Sequence, residues 1–138
     1  MDQYFEEKIS HLNDLINLSR IDGSENLTEI NFISSVADRL GISRDDLKII
    51  KDKTEKVEFI PSQDMYQVMM QYHRLIILMG IDRIIAPEEK EFCLKLGLKM
   101  KLKKEALHEI IDKAIDIPRH IISVEEIERI FYRHYKNA

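Results

Sequence analysis

Two short stretches of this chain carry carboxylates at the same spacing: Asp22 is followed by Glu29, and Asp82 by Glu89. Four carboxylates brought to one place would make a hard-cation site for Ca²⁺ or Mg²⁺, with carbonyl oxygens and water completing the shell. The same residues also have a plainer use. Asp22-Gly23 is a turn dipeptide in which Gly can supply a positive φ. Asn26 with Glu29 is nearly a capping box, and any Glu in the first turn of a helix gains from the helix dipole. The second stretch fits that plainer use less closely, because Ala86 has no side-chain acceptor and Arg83 stands where Gly23 does, yet Asp82 remains. Against a metal, helix N-termini favour anions, so the carboxylates would have to turn away from the helix ends. The segment DGSENLTE is not an EF-hand loop, since its Gly is second and its Glu eighth rather than sixth and twelfth.

Other candidates for chemistry are sparser. His108-Glu109 with Asp112 is a near miss of the zincin HExxH pattern, with Asp where the second His should stand and no further ligand close in sequence. His11, His73, His120 and His134 show no ligand spacing and read as surface or half-buried residues. There is no glycine-rich phosphate loop, and no spacing nominates a nucleophile with its base. The chain is therefore read as non-enzymatic, with no catalytic residues. Cys93 is the single cysteine, which rules out an internal disulfide and suits a reducing compartment; its apolar helical setting suggests a buried, inert thiol. Lys95, Lys99, Lys101, Lys103 and Lys104 gather where one helix ends and the next begins, either as favourable C-terminal charge or as a seat for an anionic partner. Met65, Met69 and Met79 share an apolar stripe with core character, whereas Met70 lies off it and could serve an adaptable binding groove.

The elements that must position these residues are helical. Apolar side chains recur at helical spacing almost throughout, and strand-type alternation is absent. Phe5, Ile9, Leu12, Leu15 and Ile16 make one face, and Leu27, Ile30, Ile33, Val36, Ala37 and Leu40 a second, which Gly41 ends. Ser43 with Asp46 opens a short third helix. Residues 51–61 are charged and aperiodic and read mostly as a link. After it, Ser62 is expected to start a long helix, Pro87 to sit in the first turn of the next, and Pro118 to end the one after that. Ser123 with Glu126 then opens the last helix, over residues 123–135. The expected fold is all-α, a seven-helix bundle in one domain over 1–138. A net charge of −4 and a pI near 5.7 argue against a nucleic-acid partner, which needs a basic surface. The N-terminal MDQYFEEKIS has neither a basic nor an apolar leader region, and the longest apolar run, at Leu75, is far short of a bilayer span. A cytoplasmic location without membrane insertion is the expectation.

A shift that carries Asp22 onto Asp82 superposes LINLSRIDGSENLTEINF on LIILMGIDRIIAPEEKEF without a gap. Leu15, Ile16, Leu18, Ile21, Glu29 and Phe32 then meet Leu75, Ile76, Leu78, Ile81, Glu89 and Phe92, and further on Leu47 and Ile50 meet Leu107 and Ile110. The apolar matches suit any amphipathic helix pair, but the two acidic ones do not follow from amphipathicity. The bundle is accordingly read as two internally duplicated three-helix units, over about residues 10–52 and 62–114.

With these residues in view, IDGSENLTEINFISSVADRLGIS resembles the signature of TerB-like domains, known from tellurite-resistance proteins and from the N-terminal region of certain membrane-anchored J-domain co-chaperones. The resembling parts are Asp22-Gly23, Glu29 and Leu40-Gly41-Ile42-Ser43, repeated more weakly through Asp82 and Glu89. The resemblance covers roughly residues 10–115. It implies a seven-helix duplicated fold, a divalent cation on an acidic cluster at Asp22, Glu29, Asp82 and Glu89, and a non-enzymatic role in stress-response or membrane-associated assemblies. The alternative is a metal-free protein–protein interaction module, an adaptor or scaffold that holds a protein partner in a helical groove. Carboxylates converging on one point would favour the first, and carboxylates folded back onto backbone N–H groups the second.

Overall fold

A computed structural model of the chain describes residues 3–21, 23, 26–81, 84–117 and 121–136. Seven α-helices lie among the described residues, with no strand: α1 (Gln3–Ser19), α2 (Leu27–Leu40), α3 (Arg44–Asp52), α4 (Met65–Gly80), α5 (Pro87–Lys99), α6 (Lys104–Asp116) and α7 (Val124–Lys136). A single 3₁₀ turn, Thr54–Lys56, lies in the link between α3 and α4. No helix of the described residues is long and apolar enough to cross a membrane.

Local chemistry sets most of the boundaries. Ser43 Oγ accepts from the Asp46 N–H to open α3, and Ser123 Oγ from the Glu126 N–H to open α7. Gly41 closes α2 in the left-handed conformation at φ 76°, and the following Ile42 N–H donates to Ala37 O at 2.9 Å. Such a stop satisfies carbonyls that the last turn of a helix leaves unpaired. The start of α4 differs from the expectation. Ser62 is not its cap; Asp64 is, accepting from the Tyr66 N–H, while Ser62 Oγ accepts from the Asp64 N–H. The helix thus begins at Met65, whose side chain is 45% exposed rather than part of the core stripe expected for it.

The helices share one apolar core. α1 packs on α2 and α3, α4 packs on α5 and α6, and α1 and α4 pack on each other; α7 covers α4 and α6. Leu12, Leu15 and Ile16 of α1 and Leu75, Ile76 and Met79 of α4 are essentially sealed from solvent. Each such side chain contributes roughly 1.5–3 kcal/mol on burial, before the entropy of ordering the chain is set against it. Gly97 lets α5 approach its neighbours closely, because a Cβ there would meet a Leu107 methyl at 2.5 Å.

Burial follows the same register as the sequence match. Over residues 27–42 and 87–102 the alternation of buried and exposed positions agrees at all but one position, where Leu40 is half-buried and Met100 buried. Gly41 and Lys101, paired in that register, are both left-handed, at φ 76° and φ 68°. The Leu102 N–H donates to Gly97 O at 3.0 Å, as Ile42 does to Ala37 O.

Candidate functional site

The acidic junctions come first. Glu29 sits in the first turn of α2 and is only 4% exposed, and its backbone N–H donates to the Asn26 side-chain oxygen at 2.8 Å. Glu89 holds the matching place in α5 and is 6% exposed. Its Oε1 accepts from the Ala86 N–H at 3.0 Å, so the carboxylate reaches back to the helix start although Ala86 has no acceptor to return the bond. Pro87 follows in the first turn, where its missing N–H costs nothing. Both glutamates thus place negative charge where the helix dipole and free N–H groups favour it. Asp22 and Asp82, the other half of the expected cluster, lie outside the described residues. Among the described residues no three His, Cys, Asp or Glu side chains gather as metal ligands would.

One turn into α5 from Glu89, Cys93 is fully buried and free. Burial pushes its thiol well above the usual range, and the Glu89 carboxylate adds to the effect. The Tyr72 hydroxyl donates to Cys93 O at 3.0 Å, tying α4 to α5 at this level.

The near-zincin stretch in α6 serves the helix interface. His108 and Asp112 are exposed. Glu109 instead faces α7, where it pairs with Arg133 Nη1 at 2.7 Å and with His134 Nε2 at 2.9 Å. The His134 hydrogen bond, and then Arg133, hold the Glu109 carboxyl below its ordinary range. Lys113 and Arg129 similarly share Glu126. The lysines near the end of α5 are also used within the fold: Lys95 pairs with Glu91 at 3.1 Å, Lys99 lies over Phe59 at 4.8 Å, and Lys103 lies over Tyr135 while donating to His134 O.

Two of the concave features bear on what the chain could bind. An apolar groove runs between α1, α3 and the link, as adjoining hollows of about 320 and 290 Å³ that share Phe5, Ile9, Lys56 and Val57. Ile49 and Ile50 of α3 extend it, and Ile49 is 54% exposed. On another side of α1, a polar cleft of about 480 Å³ is bounded by α1 and α4. Tyr4, Glu7 and His11 line it together with Asp64, Gln67 and Gln71, so the N-terminal halves of the two helices lie side by side.

Sequence reasoning missed the cleft. It expected His11 at the surface or half-buried, whereas the residue is 3% exposed and its Nε2 makes no hydrogen bond among the described residues. Burial, reinforced by the positive charge of Arg74, lowers its pKa to about 3. A signal was present in the register that pairs Asp22 with Asp82, because His11 there meets Gln71, a polar residue at an apolar place in both helices. His73 is half-buried, with Nε2 2.7 Å from Ile122 O, His134 pairs as described, and His120 lies outside the described residues.

Set against known proteins, the chain matches no family model, no curated protein and no solved structure.

Proposed function

We propose that this chain is a non-enzymatic, TerB-like interaction module that holds a protein partner in the groove between α1, α3 and the link, its acidic junctions serving to start α2 and α5. The groove carries the reading. Phe5, Ile9 and Val57 give it an apolar floor, Ile49 stands exposed at its side, and Glu6, Lys53, Lys56 and Glu58 surround it. An apolar centre inside a polar rim is the anatomy of a protein interface, and an amphipathic helix is the kind of partner such a groove admits. Glu89 folded back onto the Ala86 N–H supports a structural role for the junction. The TerB-like assignment rests on the signature around Asp22-Gly23 and on a duplication of α1–α3 as α4–α6, supported by the matched burial and by the left-handed pair Gly41 and Lys101. A cytoplasmic, stress-response setting belongs to the same reading.

A photo-crosslinking residue at Ile49, compared with one at Ile121, tests the module; Ile121 is also exposed, at 59%, and does not line the groove. Discrete adducts from position 49 in cells, absent from position 121 and lost with Phe5→Ser, are expected. Equal labelling from both positions would dismiss the groove as the working surface.

A second reading is favoured by the burial of Glu29 and Glu89 at matching places. With Asp22 and Asp82 they would form a site for Ca²⁺ or Mg²⁺. Calorimetric titration of chelator-stripped protein with Ca²⁺, Mg²⁺ and Zn²⁺, beside the double variant Asp22→Asn/Asp82→Asn, decides it. Binding at about micromolar level that the double variant loses would make cation sensing the function. No heat, with unchanged melting in excess metal, would leave the interaction module alone.

A further inference from the structure

We infer that the cleft between α1 and α4 is a binding site for a small zwitterion of α-amino-acid type, its carboxylate taken by Arg74 and Lys8 and its ammonium by Glu7. The cleft is about 480 Å³, within the roughly 300–1,000 Å³ of small-molecule sites. That leaves room for a side chain beyond the two charged groups. Among the described residues Arg74 makes no hydrogen bond or ion pair, and the charge that bears on it most is another cation, Arg39. Glu7 is 8% exposed and likewise forms no ion pair within the described residues. Arg74 is half-buried and Glu7 buried, and a charge drawn even partly from water without a partner is costly, so each of these groups gains from an incoming counter-charge. A ligand with both signs matches them together, whereas a simple anion would lie against Glu7 and a simple cation against Arg74.

His11 is the independent sign that something polar belongs here. It lines the cleft at 3% exposure, and its buried Nε2 has no hydrogen-bond partner among the described residues. Buried polar atoms are satisfied in the great majority of cases, and an exception at the wall of a cleft marks the place of a missing partner. Gln71 lines the same cleft from α4 at 9% exposure, with an amide able both to donate and to accept. The two helices therefore supply a pair of hydrogen-bonding side chains to the same cleft as the charged groups.

The test is calorimetry and side-chain NMR on the full chain with each proteinogenic α-amino acid, using acetate, inorganic phosphate and methylammonium as single-charge controls. At least one amino acid should bind with a Kd of about 1 mM or tighter. It should move the His11 ring resonances, and its affinity should fall at least about tenfold in Arg74→Met and in Glu7→Gln. Lys8→Met carries the same expectation if Arg74→Met loses helix content. No binding of any amino acid at about 10 mM overturns the inference, as does acetate or phosphate binding equally well, or affinity unchanged in every variant.

Discussion

Two titratable side chains one turn apart on α1 oppose each other in stability. Burial pushes the Asp14 carboxyl up to about 7 from an ordinary 3.8, against the pull of Lys99. Burial, with Arg74 second, lowers His11 to about 3 from 6.5. Folded Asp14 keeps a proton that the unfolded chain has shed, so its contribution is complete below pH 3.8 and is lost as pH rises through about 7. Folded His11 refuses a proton that the unfolded chain takes, so its contribution is complete above pH 6.5 and is lost as pH falls toward about 3. In the interval they share the slopes cancel, each amounting to about 1.4 kcal/mol per pH unit at most. Urea denaturation between about pH 4 and 7 should therefore find Asp14→Asn gaining stability with rising pH more steeply than the parent chain and His11→Gln less steeply, half-buried His73, whose pKa burial also lowers, adding the same rise to all three. Equal slopes in all three would show that neither group is held away from water as described. Cys93 offers a simpler check: with its thiol fully buried, iodoacetamide should label it only at the rate at which the chain opens, and rapid labelling of the folded protein would contradict that burial. The thiol's burial could be read from its apolar neighbours in sequence. That of His11 could not, because it depends on α4 lying alongside α1, which no spacing within one helix encodes.

The helix ends were more legible, since caps are local. Ser43, Ser123, Asn26 and Gly41 each act where the sequence places them, because the groups they satisfy lie within a few residues. The start of α4 was misplaced because Ser62 and Asp64 are both capping types two residues apart, and a carboxylate at least equals a hydroxyl as an acceptor. The half-box at Glu89 also escaped the pattern, which looks for a side-chain acceptor that Ala86 lacks. The paired stops Gly41 and Lys101 allow a matched test. The left-handed conformation suits Gly and costs other residues about 1–2 kcal/mol, part of which Gly gives back as unfolded-state entropy. Nothing lies within 4 Å of where a Cβ at Gly41 would stand, so the cost of Gly41→Ala comes from φ alone. Gly41→Ala should lower stability by about 1 kcal/mol and Lys101→Gly raise it by about 0.5–1 kcal/mol in denaturant titrations. A loss from Lys101→Gly would mean that its side chain earns more than its backbone costs.

At the scale of the whole molecule, the all-helical class and the number of helices were legible because apolar periodicity reports them directly. The way the two sets of three helices share a core was not. Leu12 and Leu15 could have been buried against α2 and α3 alone, and it is the packing of α1 on α4, with α5 beside it, that makes one continuous interior. That arrangement has a thermodynamic consequence. α1 and α4 each pack within their own set and against each other, so neither set can open without exposing the sealed faces of both helices. Unfolding should then be a single transition, with helix content and tyrosine fluorescence, to which buried Tyr72 contributes with four other tyrosines, reporting the same midpoint. A truncation at the link should leave residues 1–61 without stable helical structure, since Leu12, Leu15 and Ile16 would lose part of the core that covers them. Leu15→Ala should cost about 2–5 kcal/mol and move both probes together. Separate transitions, or a folded 1–61 fragment, would instead mean two self-sufficient units docked on one another, and the cleft between α1 and α4 would then be a seam able to open rather than a fixed site.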